Sequence, residues 1–231
     1  MFLKSGKSST FTLLELLVTI AIISMLMSIL LPGLKRAKEM ATSTVCLGNL
    51  RQCGMAAGSY LADNENMLLN YHDDHAWSDF LLDSGYGVKN VVMCPSFKPY
   101  KYTTHYASHY YTYGMLTYYG TGNGVFYFCD FAPDYRRYLL ASKVKYPSSY
   151  FFFNDSVNGS DMKQTFSYSL AGGLSSTTNG IHMRHSSHAN IVFLDGHASK
   201  CGQEAIRSDV KKVNGSTTLS VYSLNMETII L

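Results

Sequence analysis

Charged side chains are scarce in this sequence. Lysine, arginine, aspartate and glutamate together make up 15% of the 231 residues, and the net charge is only +3. The longest basic run is the short stretch Lys35–Lys38, whereas binding along a nucleic-acid backbone needs an extended basic stripe. We therefore do not expect nucleic acid as the main partner.

Motifs of common catalytic sites are also lacking. The sequence contains no Gly-x-Ser-x-Gly elbow, no His-Glu-x-x-His zinc motif and no convincing pair of carboxylates. The glycine-rich stretch Gly120–Gly124 is not followed by Lys-Ser or Lys-Thr, as a phosphate-binding loop would be, so it predicts a turn. We expect neither enzymatic activity nor a cofactor.

The chain does contain a long apolar run near its N-terminus. Phe11–Leu31 is about 21 residues long, which at about 1.5 Å of rise per residue is enough to cross a bilayer core of roughly 30 Å. The leader before it carries Lys4 and Lys7, which favours a cytoplasmic N-terminus, although Lys35–Lys38 beyond the run weakens this asymmetry. Because the run exceeds the apolar core of a cleavable secretory signal, we expect a retained membrane helix.

One carboxylate, Glu15, stands inside this apolar run. A charge at the centre of a membrane helix costs about 2.5–3.5 kcal/mol, and less near its end, so Glu15 needs a partner. The stretch Phe11–Val18, following a short basic leader, resembles the processing site of type IV prepilins and type II secretion pseudopilins. The resemblance implies that a prepilin peptidase cuts between Thr10 and Phe11 and methylates the new amine, although that family usually has glycine where Thr10 stands. It also implies that Glu15 pairs with the Phe11 ammonium of a neighbouring subunit.

The pattern after the apolar run predicts that the helix continues. Pro32 should bend the helix or melt one of its turns, and the alternative is that the helix simply ends there. Apolar or small residues recur from Leu34 to Tyr60 in steps of three and four, which predicts an amphipathic half ending near Leu61, where the polar cluster Asp63–Asn66 stops the helix. The predicted organisation is a leader at 1–10, a membrane half at 11–32, an amphipathic half at 33–62 and a periplasmic domain at 63–231.

The periplasmic part is predicted to be α+β and pilin-like, with the long helix packed on an antiparallel β-sheet. The 18 tyrosines and 12 phenylalanines favour strands with aromatic cross-strand pairs. Tyr106–Phe128 predicts short strands broken by Gly114 and Gly120–Gly124. Further turns are predicted at Asn154-Asp155, Asn158-Gly159 and Gly172-Gly173.

Three later segments resemble a bacterial branch of prepilin-like proteins. His185 is followed after nine residues by Asp195-Gly196, matching the H-x9-DG signature of that branch, while Cys46–Leu50 and Cys94–Ser96 match its Cys-x-x-Asn-Leu and Cys-Pro-Ser segments. The residues themselves predict a buried strand at Ile191–Leu194 and a hairpin turn of the primed type at Asp195-Gly196. We expect His185 to hydrogen-bond this turn, so that His185, Asp195 and Gly196 form a structural hairpin.

Histidines near this hairpin raise the question of a metal site. His182, His185, His188 and His197 are close in sequence, but an extended chain sends alternate side chains to different faces, and the spacing matches no known zinc motif. No dense run of Asp and Asn at calcium-ligand spacing occurs either. We therefore predict no metal site, and a solvated loop at His72–His75.

The five cysteines are an odd number, so at least one is unpaired within the chain. Cys46 and Cys53 lie on one helix about 10.5 Å apart along its axis, beyond the roughly 7 Å limit for a disulfide. In an oxidising periplasm a bond from Cys46 or Cys53 to Cys94 would join the helix to the domain. Buried free thiols are the alternative.

The function predicted from these features is structural. We expect a single-pass protein of the bacterial inner membrane that assembles into a periplasmic or surface filament, with other pilin or pseudopilin subunits, the prepilin peptidase, the assembly platform and membrane lipid as partners. The sequence does not distinguish a pilus from a secretion or uptake pseudopilus. The alternatives are a membrane-anchored binding module with a tyrosine-rich surface or, less favoured, a tethered enzyme.

Overall fold

The computed structural model describes residues 11–72, 75–87, 89–97, 111–116, 126–129, 136–168, 179–214, 220–223 and 228–230. The chain divides into two compact units, Met1–Met40 and Ala41–Leu231. Thr10, the leader lysines, and the predicted turns at Gly120–Gly124 and Gly172-Gly173 lie outside the described residues.

Helix α1 spans Leu13–Asp63. All described residues before Ala41 are exposed to solvent. The helix is unbroken at Pro32, so the predicted melted turn and the alternative helix end are both wrong, while a bend at Pro32 stays a prediction. Its C-terminus at Asp63 agrees with the prediction, because Glu65 and Asn66 take positive φ angles of 53° and 59° and cannot continue a right-handed helix.

The second unit adds two short helices and thirteen strands among the described residues. The helices are α2 (Trp77–Asp83) and α3 (Gln203–Asn214), and single 3₁₀ turns occupy Lys89–Val91, Ala141–Lys143 and Pro147–Ser149. The strands are β1 (Met67–His72), β2 (His75–Ala76), β3 (Gly114–Leu116), β4 (Phe126–Cys129), β5 (Arg136–Leu140), β6 (Phe151–Asn154), β7 (Ser156–Asn158), β8 (Ser167–Tyr168), β9 (Asn179–His182), β10 (Ala189–Phe193), β11 (Ala198–Cys201), β12 (Ser220–Tyr222) and β13 (Thr228–Ile230).

These strands form three sheets, with orders β2-β1-β5-β4, β11-β10-β6-β3-β8 and β13-β12-β9-β7. Most pairs are antiparallel, but β3 pairs with β8 and β9 pairs with β12 in parallel. The α+β class is confirmed, whereas the prediction of one antiparallel sheet is wrong. Parallel neighbours are joined by long connections, which local strand patterns in a sequence do not reveal.

The buried face of α1 begins later than the apolar stripe predicted. Leu34 and Val45 remain exposed, while burial starts at Ser43. The buried residues of α1 are Ser43, Cys46, Leu50, Cys53, Gly54, Ala57 and Leu61. This face lies on β10, where a Cβ built on Gly54 would come within 2.8 Å of Val192 Cγ2. The helix therefore forms one wall of the core of the second unit.

The hairpin β10-β11 confirms the predicted buried strand and the position of its turn, but not the type of the turn. The Phe193 N–H donates to the His197 carbonyl at 2.8 Å, and the Gly196 N–H donates to the Phe193 carbonyl at 2.9 Å. Gly196 has φ of +91°, whereas Asp195 is not among the described residues with positive φ. The turn is therefore of the three-residue kind with one left-handed glycine, and the predicted primed two-residue turn is wrong.

Two smaller predictions are also corrected. Gly114 starts strand β3 rather than interrupting a strand. At Asn154-Asp155, where a turn is predicted, Asn154 ends β6 and Asp155 is a fully buried residue between β6 and β7. His72 and His75 face each other across the β1-β2 pair, and the two residues between them lie outside the described part of the chain.

Candidate functional sites

The first candidate site is the start of α1. The Thr12 N–H donates to Glu15 Oε2 at 2.8 Å, and the Glu15 N–H donates to Thr12 Oγ1 at 3.2 Å. This reciprocal pair is a capping box, which satisfies backbone donors left free in the first turn of a helix. Glu15 thus has a hydrogen-bond partner, Thr12, within its own chain. Phe11, which precedes Thr12, is exposed.

The apolar run that follows is exposed along its length. Helix α1 is the one helix among the described residues that is both long enough and apolar enough to cross a membrane. No residue of its most apolar 18-residue stretch is buried. A signal sequence near an N-terminus has the same properties. The observation establishes a segment that water does not solvate well and that this chain does not cover.

The second candidate site is a buried cluster in the second unit. One ligand atom from each of four residues, Cys46, Cys94, Asp155 and His185, lies within 4.8 Å of the others. Cys46 Sγ donates to Asp155 Oδ1 at 3.3 Å. His185 Nε2 lies 3.3 Å from Asp155 Oδ2 and 3.6 Å from Cys94 Sγ. Two thiols, an imidazole and a carboxylate therefore converge on one point, and these four could together hold a metal ion.

Different elements bring these residues together. Cys46 lies on the buried face of α1, and Cys94 follows the 3₁₀ turn Lys89–Val91. The Cys94 N–H donates to Gln164 Oε1 at 3.2 Å. Asp155, in the break between β6 and β7, donates its N–H to the Asn190 carbonyl at 3.1 Å and accepts the Asn190 N–H on Oδ2 at 2.9 Å.

His185 is held by a tight turn between β9 and β10. Its N–H donates to the His188 carbonyl at 3.0 Å, and the His188 N–H donates back at 3.2 Å. Ser186 and Ser187 between them both have positive φ, 51° and 62°. Such a conformation is uncommon for residues with a side chain. The turn directs the His185 ring inward, where only 4% of the residue is exposed.

A second layer of polar groups surrounds the cluster. Arg184 Nε lies 3.9 Å from Asp155 Oδ1, and Arg184 donates through Nη1 to Gln164 Oε1 at 3.2 Å and through Nη2 to the Ser156 carbonyl. Its guanidinium carbon lies 4.1 Å from the centre of the Phe97 ring. The Tyr113 hydroxyl donates to Cys46 Sγ at 3.2 Å. The buried charges therefore have both counter-charges and hydrogen bonds, as burial requires.

The ionisation of the cluster follows from these contacts. Burial raises the pKa of Cys46 well above its ordinary value, and the neighbouring Cys94 thiol and Asp155 charge add to this. For Cys94, burial acts upward, but a hydrogen bond from Cys46, together with His185 and Arg184, brings its pKa down to about 5. Burial acts downward on His185, yet Asp155 raises its pKa to about 9. Burial also opposes ionisation of Asp155, and Arg184 and His185 overcome it, so its pKa is lowered.

A thiolate beside an imidazolium is the arrangement of a cysteine nucleophile. However, Cys46, Cys94 and Asp155 are each 0% exposed. Neither sulfur is accessible to solvent.

The structure separates the predicted site residues into different places. Cys53 lies on the same face of α1 as Cys46, but its Sγ donates to the Val91 carbonyl at 3.4 Å. The four cysteines with described side chains are free thiols, namely Cys46, Cys53, Cys94 and Cys201. Of the two predicted disulfide pairings, Cys46–Cys94 is the one whose sulfurs lie in a common cluster.

The expected contact between His185 and the Asp195 turn is wrong. Asp195 Oδ1 instead pairs with His197 Nδ1 at 2.6 Å on the surface, while His185 faces Asp155. The His188 ring lies with Nδ1 2.8 Å from the Ser186 carbonyl. His182 packs edge-on to the Phe97 ring at 5.1 Å. His182, His185, His188 and His197 thus contact different partners.

Sequence reasoning missed Asp155 and Arg184. The pair Asn154-Asp155 predicts a turn, because Asn and Asp are common turn residues, and this pattern does not indicate burial. Arg184 directly precedes His185, and its burial was not predicted. A usable signal was the uninterrupted aromatic stretch Tyr150–Phe153 before Asp155, since a strand buried on both faces delivers the next residue into the core.

Comparison with known proteins gave no match, whether the chain was compared with family models, with curated proteins or with solved structures.

Proposed function

We propose that this protein is a prepilin-type filament subunit, anchored in the bacterial inner membrane by the first part of α1 and assembled through it. The observation that carries the proposal is the contrast within one helix. Every described residue before Ala41 is exposed although most of 13–31 is apolar, whereas from Ser43 onward one face is buried in the α+β unit. A helix without a polar face needs lipid or other apolar helices around it.

Glu15 supports assembly rather than simple anchoring. Only its Oε2 atom is used in the capping box with Thr12, and among the described residues no hydrogen bond to Oε1 occurs. The second oxygen can accept an ammonium group from a neighbouring chain. Cleavage before Phe11 would create an N-terminal ammonium group four residues from Glu15. In a filament, the Phe11 ammonium of a neighbouring subunit would lie at the same level of the helix bundle as Glu15. Pairing would offset the cost of burying either charge alone.

The orientation and the partners follow from the same proposal. The basic leader remains cytoplasmic until a prepilin peptidase removes it between Thr10 and Phe11, and the second unit lies in the periplasm. Lipid surrounds the apolar half before assembly, and other pilin or pseudopilin subunits replace it afterwards at the assembly platform. The same geometry serves a pilus, a secretion pseudopilus or an uptake pseudopilus.

The described part of the surface gives no support to the binding-module alternative. It needs exposed tyrosines, but among the tyrosines with described side chains only Tyr146 is exposed, and Tyr113, Tyr150 and Tyr168 are buried in the core. Aromatic rings that pack the interior do not form a contact surface.

The deciding experiment is a determination of the mature N-terminus. The protein is isolated from its native membrane, digested and examined by mass spectrometry for an N-terminal peptide beginning at Phe11 and carrying one methyl group on its amine. A methylated Phe11 is the expected result. An uncut Met1 terminus, or a terminus beyond residue 31, would overturn the proposal.

A further inference from the structure

We propose that Cys46, Cys94, Asp155 and His185 form a structural Zn²⁺ site in the second unit of this protein. This inference concerns the interior of that unit and does not depend on filament assembly. It differs from the sequence analysis, which predicts no metal site, because the four ligands come from four separate parts of the chain.

The first argument is distance. In a tetrahedral site with Zn–S bonds of about 2.3 Å and Zn–N or Zn–O bonds of about 2.05 Å, a sulfur lies about 3.5 Å from a nitrogen or oxygen ligand, and a nitrogen lies about 3.3 Å from an oxygen ligand. The separation from Cys46 Sγ to Asp155 Oδ1 is 3.3 Å, and that from Cys94 Sγ to His185 Nε2 is 3.6 Å. His185 Nε2 lies 3.3 Å from Asp155 Oδ2. The two contacts of Asp155 use different oxygens, so two edges of one tetrahedron, Cys46 Sγ to Asp155 Oδ1 and Cys94 Sγ to His185 Nε2, already have the required length.

The second argument is that one donor, His185 Nε2, is shared between two acceptors. His185 Nε2 faces both Asp155 Oδ2 and Cys94 Sγ, and one N–H cannot serve both equally. Asp155 is 0% exposed, so water does not supply further donors. A divalent cation at the centre would satisfy a lone pair from each of the four residues at once.

The third argument is charge. Two thiolates and one carboxylate around Zn²⁺ leave one negative charge in the interior, which is costly unless it is paired. Arg184 supplies the missing positive charge, because its Nε lies 3.9 Å from Asp155 Oδ1 and its side chain is only 3% exposed. The metal, its ligands and Arg184 together are neutral.

The fourth argument is the support around the ligands. Metal-binding side chains are held by outer hydrogen bonds that fix their orientation. The Tyr113 hydroxyl donates to Cys46 Sγ at 3.2 Å, and the Asn190 N–H donates to Asp155 Oδ2 at 2.9 Å. The mixed sulfur, nitrogen and oxygen set favours Zn²⁺ over Mg²⁺ or Ca²⁺, which prefer oxygen ligands. Four protein ligands leave no open position, as expected of a structural site.

A disulfide between Cys46 and Cys94 is the competing arrangement. It would bring the two sulfurs to about 2.05 Å from each other. Asp155 and His185 would then face a neutral disulfide, which has no S–H group to donate a hydrogen bond. It would also break both of these tetrahedral edges, since each sulfur now lies against Asp155 or His185. Zinc instead uses all four groups and protects both thiols from oxidation.

The test uses the full-length protein purified in detergent without chelators. Elemental analysis should find one zinc per chain, and X-ray absorption should show two sulfur and two nitrogen or oxygen neighbours. Replacement by Co²⁺ should give the visible bands of tetrahedral cobalt with a thiolate charge-transfer band. A wild-type chain without stoichiometric zinc that also fails to bind Co²⁺ would overturn the proposal. So would an intact mass lower by two hydrogens under non-reducing conditions, which indicates the disulfide.

Matched variants locate the site. Cys94→Ser should lose at least tenfold in zinc affinity, whereas Cys53→Ala, which removes another buried thiol of the second unit, should keep one zinc per chain. Equal loss in both variants would contradict the proposal. If Cys94→Ser fails to fold, the cobalt spectrum and the X-ray absorption of the wild-type chain decide the question by themselves.

Discussion

The Nε2 atom of His185 lies 3.3 Å from Oδ2 of Asp155. Both side chains are almost completely buried, with 2% of His185 and 0% of Asp155 exposed. A second Asp–His pair, Asp195 with His197, has a shorter contact of 2.6 Å but side chains that are 36% and 47% exposed. The two pairs have similar chemistry in opposite surroundings. Burial, rather than contact distance, should therefore determine their contributions to stability.

Asp155→Asn should destabilise the second unit strongly. The substitution keeps the shape of the side chain but removes the charge that faces Arg184. Leaving one member of a buried ion pair without its partner costs about 3–5 kcal/mol of stability. The matched substitution Asp195→Asn should cost less than about 1 kcal/mol, because solvent screens that pair. Urea unfolding followed by the fluorescence of Trp77, the single tryptophan, measures both. Equal costs for the two variants would contradict this interpretation of the cluster.

Gly54→Ala tests the packing of α1 on β10. The new Cβ would lie 2.8 Å from Val192 Cγ2, and Val192 is buried and stiff about χ1. We expect a loss of about 1–3 kcal/mol in the free energy of unfolding.

Gly58→Ala provides the control on the same helix. A Cβ there meets nothing within 4 Å, so the higher helix propensity of alanine should stabilise the protein by about 0.5–1 kcal/mol. If both substitutions were stabilising, the close contact between α1 and β10 would be refuted.

Gly196→Val tests the turn between β10 and β11. Gly196 has φ of +91°, where a β-branched side chain is strained, so the variant should lose about 1–2 kcal/mol or more. Gly48→Ala is the control, because Gly48 lies in the helix and a Cβ there meets nothing within 4 Å. Unchanged melting of Gly196→Val, with loss of some other activity, would mean that the turn is not a stability element.

Glu15→Ala should leave membrane insertion intact while preventing efficient incorporation into filaments. The variant removes the carboxylate that we pair with a neighbour's Phe11 ammonium. Glu39→Ala is the control, since Glu39 is an exposed acid of the same helix outside the apolar run. The measurement is the amount of each variant in sheared filaments relative to the membrane fraction. Wild-type amounts of Glu15→Ala in filaments would refute the assembly role.

Two deletions test which part of α1 belongs to the core. Removing residues 1–40 takes away only exposed positions among the described residues, so the remainder should be soluble and unfold cooperatively. Removing residues 1–61 takes away every buried position of α1, and each large buried side chain contributes several kcal/mol. The longer deletion should aggregate. Equal solubility and cooperativity of both products would show that α1 is not a wall of the core.

Local features of this protein followed from the sequence. The apolar run, the end of α1 near Asp63 and the hairpin before Asp195-Gly196 each depend on residues that are neighbours along the chain. Their causes are hydrophobic periodicity, a polar stop and a glycine turn, which act over one or two turns of helix or one strand pair. The details that failed were equally local in origin, because Pro32 was accommodated in an exposed helix and Asp195 bonded to the nearer His197.

The buried cluster was decided by the tertiary structure alone. Cys46, Cys94, Asp155 and His185 lie on a helix, a loop, a strand break and a turn, and no spacing in the sequence relates them. The packing of α1 on β10 brings Cys46 to the other three residues. The pairing of β10 with β6 places Asp155 beside Asn190. A carboxylate and an arginine look like solvated residues in a sequence. Only the folded core, which excludes water and must balance each charge with another, makes them partners.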